Sequence, residues 1–308
     1  MKRLLLLITG FMLIGEVLAA APLPEAKIVK INERVYALLG PMELPNKQNQ
    51  GYMVNSTVII GDKGVIIVDT GFTDEIGAHL AKAIAKITPK PVTHVINTHH
   101  HGDHTLGNIA FKNAEIMSSE QCKVLVAKTG DEWLAMVERL ADRKFPHTTP
   151  VLASVTYKEN TKTEKTINGV KLMLWTPSGS HTPGDMLVYL PDDKVLIGGD
   201  VLVNQITPNF RDGHVKSWIG TLAQIKGMKA KTIVPGHGPL MTTADVAAMQ
   251  KRMTDLYAGV EAGYKKGLND SEIRNTLNLA EWKKLNHFDE QMGGNINRVY
   301  LEVEAANF

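Results

Sequence analysis

The sequence predicts an α/β fold made of two sheet-bearing halves, and three features carry that expectation. Short β-branched runs bounded by turn signals recur along the chain, as buried strands do. Between them lie apolar stripes at helical spacing. Histidines and aspartates then fall in loops that directly follow strand-like runs, where a rigid scaffold meets solvent access.

Residues 27–31 and 34–39 read as two short strands, and 40–51 is a loop rich in Pro, Asn and Gln. Residues 53–60 are the next expected strand. Gly61-Asp62-Lys63-Gly64 is a tight hairpin signal leading into Val65-Ile66-Ile67-Val68, a run expected to be buried on both faces. A helix follows Thr73, whose hydroxyl can cap it, with Ile76, Leu80, Ala83, Ile84 and Ile87 as its apolar stripe. Residues 92–97 are strand-like and run straight into Thr98-His99-His100-His101-Gly102-Asp103-His104. A strand is expected over 114–118, then helices around 119–127 and 131–142. Residues 170–175, 185–190 and 194–197 read as strands of a second sheet, 214–228 as a helix and 232–235 as a short strand. Val246, Met249, Met253, Leu256, Val260 and Tyr264 recur at the spacing of a helix packed on a core. No repeat or dividing linker is visible. One domain is therefore expected over 22–308, its halves roughly 22–168 and 169–308.

The N-terminus has its own logic. Lys2 and Arg3 precede an apolar run from 4 to 14, and the small residues Ala19, Ala20 and Ala21 follow. That is the layout of a secretory signal peptide over 1–21, and the run is shorter than the roughly 20 residues of a membrane span. Export, most simply to a periplasm, is expected, with no stable membrane anchor. Removing Lys2, Arg3 and Glu16 leaves 32 basic against 31 acidic groups. So neutral a chain gives no reason to expect nucleic acid as a partner, and a small-molecule substrate is the simpler reading. Cys122 is the single cysteine, so no internal disulfide forms.

The chemistry lies in an ordered set of donors. His99, His101, Asp103 and His104 come first, followed by His181 in Ser180-His181-Thr182-Pro183-Gly184-Asp185, Asp200 in Gly198-Gly199-Asp200 and His237 in Pro235-Gly236-His237-Gly238. Imidazole and carboxylate suit zinc, with iron or manganese as alternatives. Five of the eleven histidines fit this pattern; His79, His94, His147, His214 and His287 do not and are read as structural or surface residues.

The His99-x-His101-x-Asp103-His104 motif, with His181, Asp200 and His237 after it and Val68-Asp69-Thr70-Gly71 before it, resembles the metallo-β-lactamase superfamily. That resemblance implies a four-layer αβ/βα sandwich with two zinc ions per chain at one edge. It assigns His99, His101 and His181 to one ion, Asp103, His104 and His237 to the other, and Asp200 as the bridge. Residues i and i+2 on an extended segment project to one side, which suits His99 and His101, whereas Asp103 and His104 follow the turn at Gly102. His100 is not expected to be a ligand, and Asp69 is expected to orient the loop. Two divalent ions bring a water's pKa to about 7, and Asp103 is the candidate catalytic group that orients this water and carries its proton.

Many β-lactamases of the family carry cysteine where Asp200 stands, arginine where His104 stands and lysine where Val203 stands. Asp200 and His104 make the site resemble glyoxalase II and lactonases instead. The expected substrate is therefore a lactone, ester, thioester or β-lactam. Arg211, His214 and Lys216 could serve an anionic substrate, although solvated surface charge is the better reading of each. Loop 40–51 and the segment around Trp133 and Phe145 are candidate apolar flaps. Two rivals remain: a mononuclear iron persulfide dioxygenase and a non-catalytic metal-binding protein on the same fold.

Overall fold

Two sheets facing each other organise the protein, seen here in a computed structural model that describes residues 22–307. The signal peptide expected over 1–21 lies outside the described residues. The first sheet has seven strands in chain order: β1 (Lys27–Lys30), β2 (Val35–Leu39), β3 (Ser56–Ile60), β4 (Val65–Val68), β5 (Val92–Ile96), β6 (Glu115–Ser119) and β7 (Val155–Tyr157). Its helices are α1 (Asp74–Ile87), the short α2 (Gly102–Thr105) and α3 (Glu120–Ala141). The second sheet holds β8 (Thr161–Ile167), β9 (Val170–Thr176), β10 (Leu187–Leu190), β11 (Val195–Ile197) and β12 (Thr232–Val234), in the order β12-β11-β10-β9-β8. Helices α4 (Val215–Ile225), α5 (Thr243–Tyr264), α6 (Asp270–Arg274) and α7 (Phe288–Ala305) accompany it.

Strand β4 shows how the layers form. Its side chains alternate, so Val65 and Ile67 join the core beneath α1 and α3, whereas Ile66 and Val68 join the core between the sheets. The run is β-branched throughout because both of its faces are buried. Leu174, Val188 and Ile197 meet it from the second sheet. On the outer side of that sheet, Leu187 and Leu196 pack with Trp218, Leu222, Met249 and Val299 of α4, α5 and α7. The layers are helix, sheet, sheet, helix, the αβ/βα sandwich the resemblance implies.

Local signals explain most boundaries. Thr73 Oγ1 accepts the Ile76 N–H at 3.2 Å and caps α1. Thr242 and Asp245 form a reciprocal capping box at the start of α5. Three expectations change. Residues 120–141 form one helix rather than two, because Gly130 packs against Pro150 where no Cβ fits and the helix runs through it. Strand β8 was not anticipated: it is a largely exposed edge strand of polar residues, and Lys162 and Lys165 blunt it. The Asn168-Gly169 turn that pairs it with β9, both residues at positive φ, is a hairpin signal in its own right. Helices α6 and α7 lie beyond the last stripe read from the sequence. Among the described residues, no helix is long and apolar enough to cross a membrane.

Candidate metal centre

Every candidate donor sits in a loop or short turn at one edge of the sandwich. The C-terminal ends of the parallel pair β4 and β5 deliver Asp69 and the 97–101 segment, and the parallel pair β11 and β12 delivers Asp200 and His237. Open sheets place their sites beyond such strand ends. His101 keeps extended backbone (φ −62°, ψ 147°) as the residue before α2, and Asp103 and His104 lie inside α2. His181 comes from the loop joining β9 to β10. Gly199 (φ +49°) passes against the Thr98 side chain, and at Gly236 a Cβ would strike the Asp200 carboxylate. Both glycines let loops close on the acid.

Each imidazole is held by one nitrogen and presents the other to the centre. His104 Nδ1 donates to Asp69 Oδ2 at 2.8 Å, His237 Nδ1 to the Met53 carbonyl at 3.1 Å and His181 Nδ1 to the Asn209 carbonyl at 3.1 Å. His101 reverses the sense: its Nε2 donates to Asp212 Oδ2 at 2.9 Å, so its Nδ1 faces inward, 3.1 Å from His181 Nε2. His99 Nε2, His104 Nε2 and Asp200 Oδ1 are buried without a hydrogen-bond partner. A buried polar atom left alone is costly, and here three of them belong to the two candidate donor groups. The donors form two groups: His99, His101, His181 and Asp200 in one, and Asp103, His104 and His237 in another. Asp200 spans both, with Oδ2 3.6 Å from His181 Nε2 and 3.3 Å from His237 Nε2, and Oδ1 3.3 Å from His104 Nε2. This set of imidazole and carboxylate donors fits zinc-type cations.

The electrostatics call for added positive charge. Burial favours the neutral acid at Asp103, yet His104 and His237 outweigh it and hold the carboxyl well below its usual range. Asp200 is held down in the same way, against burial, by His237 and His104. Burial opposes charge on His104, but Asp103, Asp200 and Asp69 hold its pKa well above the ordinary value. His237 resists burial likewise and rises to about 10, chiefly through Asp200. His99 is pushed well below its ordinary value by burial and by the imidazoles of His104, His101 and His181. Burial brings His101 down to about 4 although Asp212 opposes the shift. Carboxylates with such needs are met by imidazolium protons or by a bound cation.

Asp69 does what its place before the turn suggests. Its backbone is left-handed (φ 61°), and its carboxylate accepts from Thr98 N at 2.8 Å, Thr98 Oγ1 at 2.7 Å and His104 Nδ1 at 2.8 Å. His100 is buried and groups with His101 and Asp212, outside the two central donor groups. Asp212 escaped the sequence reading because nothing in its spacing ties it to a histidine 111 residues away. Arg211 lines the cavity, its guanidinium 4.9 Å from the Trp133 ring and bonded to Asp212. His214 caps α4, whereas Phe145 is fully buried in the core. Leu44, Pro45 and Trp133 line the cavity, so both suggested flaps border the site. His287, read from sequence as structural or surface, also borders it, with Nε2 donating to the Met42 carbonyl at 2.7 Å.

Comparison with known proteins agrees with this architecture. The "Linear primary-alkylsulfatase" of Pseudomonas sp. (strain ATCC 19151) is 26% identical over 236 residues, 64% of this chain and 44% of that protein. The "Metallo-beta-lactamase type 2" of Bacillus sp. (strain 170) is 27% identical over 192 residues, 60% of this chain and 66% of that protein. The chain thus spans between about two fifths and two thirds of these curated relatives. The solved structure of a metallo-beta-lactamase from Pontibacter korlensis superposes with a TM-score of 0.60 at 23% identity, covering 75% of this chain and 99% of that one. The DIM-1 metallo-beta-lactamase gives 0.58 at 20% identity, covering 76% and 99%. Both establish likeness of fold. The family model described as "Metallo-beta-lactamase superfamily" matches residues 49–237, the span that carries all seven donors, and the chain belongs to that superfamily.

Proposed function

We propose that the protein is an exported dinuclear zinc hydrolase of carboxylic derivatives, a lactone, ester or thioester ahead of a β-lactam. The observation that carries this reading is the ring of inward-facing imidazole nitrogens around the shared carboxylate of Asp200, three of its atoms buried and unpartnered. His99, His101 and His181 would hold one ion and Asp103, His104 and His237 the second, with Asp200 between them. When bound, such a pair supplies Lewis acidity and a water of lowered pKa. The chain's own residues do the rest. Asp103 lies within reach of the centre and at the cavity wall, where it accepts the proton of the attacking water and returns it to the leaving group as the acyl bond breaks. Asp69, Asp212 and the Met53 and Asn209 carbonyls fix the tautomers on which this geometry depends.

The ranking of substrates rests on Asp200 and His104, and on Val203, which leaves the cavity wall without a lysine. The names of the relatives, an alkylsulfatase and metallo-beta-lactamases, are those of hydrolases and support hydrolysis as the class. Export rests on the layout of residues 1–21. The test is elemental analysis of purified protein together with a panel of lactone, ester, thioester and β-lactam substrates. Two zinc ions per chain and turnover of at least one of the first three classes are expected. One iron per chain with persulfide oxidation, or no turnover of any of them, would sink the reading.

A further inference from the structure

We propose, building on that reading, that the site takes an uncharged acyl compound whose body is a hydrocarbon chain or ring, gripped by contact area rather than by an ion pair. The cavity beside the centre measures about 340 Å³, the small end of ligand-sized cavities. Its apolar wall includes Leu44 from loop 40–51, Phe72 from the loop after β4, Trp133, Met136 and Leu140 from α3, and Ile206 from the loop after β11. Trp133, Met136 and Leu140 follow helical spacing, so one face of α3 is turned to the cavity, and Trp133 also lies 4.7 Å from the His101 ring.

The charge pattern favours a neutral body over an anionic one. No lysine lines this cavity, and its one guanidinium, Arg211, is already engaged. Arg211 Nη2 and Nε lie 3.2 and 3.3 Å from Asp212 Oδ2, which also accepts from His101, and the cation rests over Trp133. Turning Arg211 fully toward a substrate carboxylate would loosen its two contacts with the aspartate that orients His101. A neutral body leaves that network intact and removes apolar wall from water.

The experiment uses zinc-loaded protein and two series. The first is p-nitrophenyl esters from acetate to octanoate, where the leaving group is constant and only the acyl chain grows. The second is calorimetric binding of uncleavable N-alkylacetamides from butyl to decyl. Each methylene that enters the cavity is expected to raise kcat/KM and affinity by about 3–4-fold until the cavity is filled. Met136→Asn and Leu44→Asn, on separate elements, should each lower the ratio of kcat/KM for the octanoate to that for the acetate by about tenfold, a selective loss that a folding defect does not produce. Affinity flat across the acetamides, or a monosuccinate ester preferred to its butanoate counterpart, overturns the inference. Affinity that climbs with chain length without ester, lactone or thioester turnover upholds it and overturns the hydrolytic reading instead.

Discussion

Replacing Asp69 by asparagine tests whether a residue outside the ring of donors governs the centre by fixing a tautomer. Asparagine tolerates the left-handed backbone at this position, so the substitution acts on the hydrogen bonds alone. If the amide oxygen keeps the Thr98 N–H, the amide nitrogen faces His104 Nδ1 and Thr98 Oγ1, donor against donor. His104 can accept from it only by moving its proton to Nε2, the nitrogen that faces Asp103 and Asp200. A histidine protonated there cannot ligate. Loss of such a supporting partner typically lowers metal affinity 10–100-fold, about 1.4–2.7 kcal/mol. Asp69→Ala goes further: it strands a buried histidine and two Thr98 donors, and about 3–5 kcal/mol of stability should go with it. Zinc bound per chain at buffered free zinc reads the first effect, and urea unfolding of metal-free protein reads the second. An asparagine variant that fills both zinc positions at the wild-type free-zinc concentration would refute the tautomer argument.

Asp103→Asn should retain much of its zinc yet lose about 10²–10⁴-fold in kcat, whereas His101→Ala should lose zinc itself; an active asparagine variant rejects the proton-carrying role. Asp212→Ala frees the His101 ring, and weaker zinc binding by about tenfold is expected in competition with a chelator, with unchanged affinity counting against any orienting role. Burial pushes the Cys122 thiol up to about 12 from an ordinary value of 9.0, so it should resist alkylation at pH 8 in the folded chain and react on unfolding. Because that pKa is raised on folding, its contribution is complete below pH 9 and is lost as pH rises toward 12. The stability of wild type relative to Cys122→Ala should therefore fall by about 2 kcal/mol between pH 8 and 10.5, and a difference independent of pH would contradict it.

The core of the fold was legible because its signals are local. Val65–Val68 announces a strand buried on both faces, Thr73 announces a helix start, and the glycines beside His181, Asp200 and His237 announce loops that close on a centre. The seven candidate donors stand out in the sequence for the same reason, since residue type and order alone mark them, and the fold brings them to one edge. What stayed hidden depends on distance in the chain. Asp212, the Met53 and Asn209 carbonyls and His287 act through contacts across 28 to 245 residues, and no local pattern encodes such pairings. Strand β8 was hidden because its polar residues pack on nothing that would impose an apolar alternation. Trp133 was noticed as an aromatic, but only the packing of α3 shows which way it faces.

Asn55 shows how firmly the two sheets are tied at the centre. Its side-chain nitrogen donates to the carbonyls of Pro235 and Gly238, its oxygen accepts from Gly40 N, and its backbone N–H reaches the Gly236 carbonyl. The loop carrying His237 is thereby pinned to the sheet that carries His99 to His104. Neither sheet alone offers more than part of the donor set, so a chain still emerging, or one with β12 undocked and His237 withdrawn, offers a cation an incomplete set. Full occupancy of the proposed two-ion centre would therefore report finished folding, and a bound ion would favour the docked sheets by mass action.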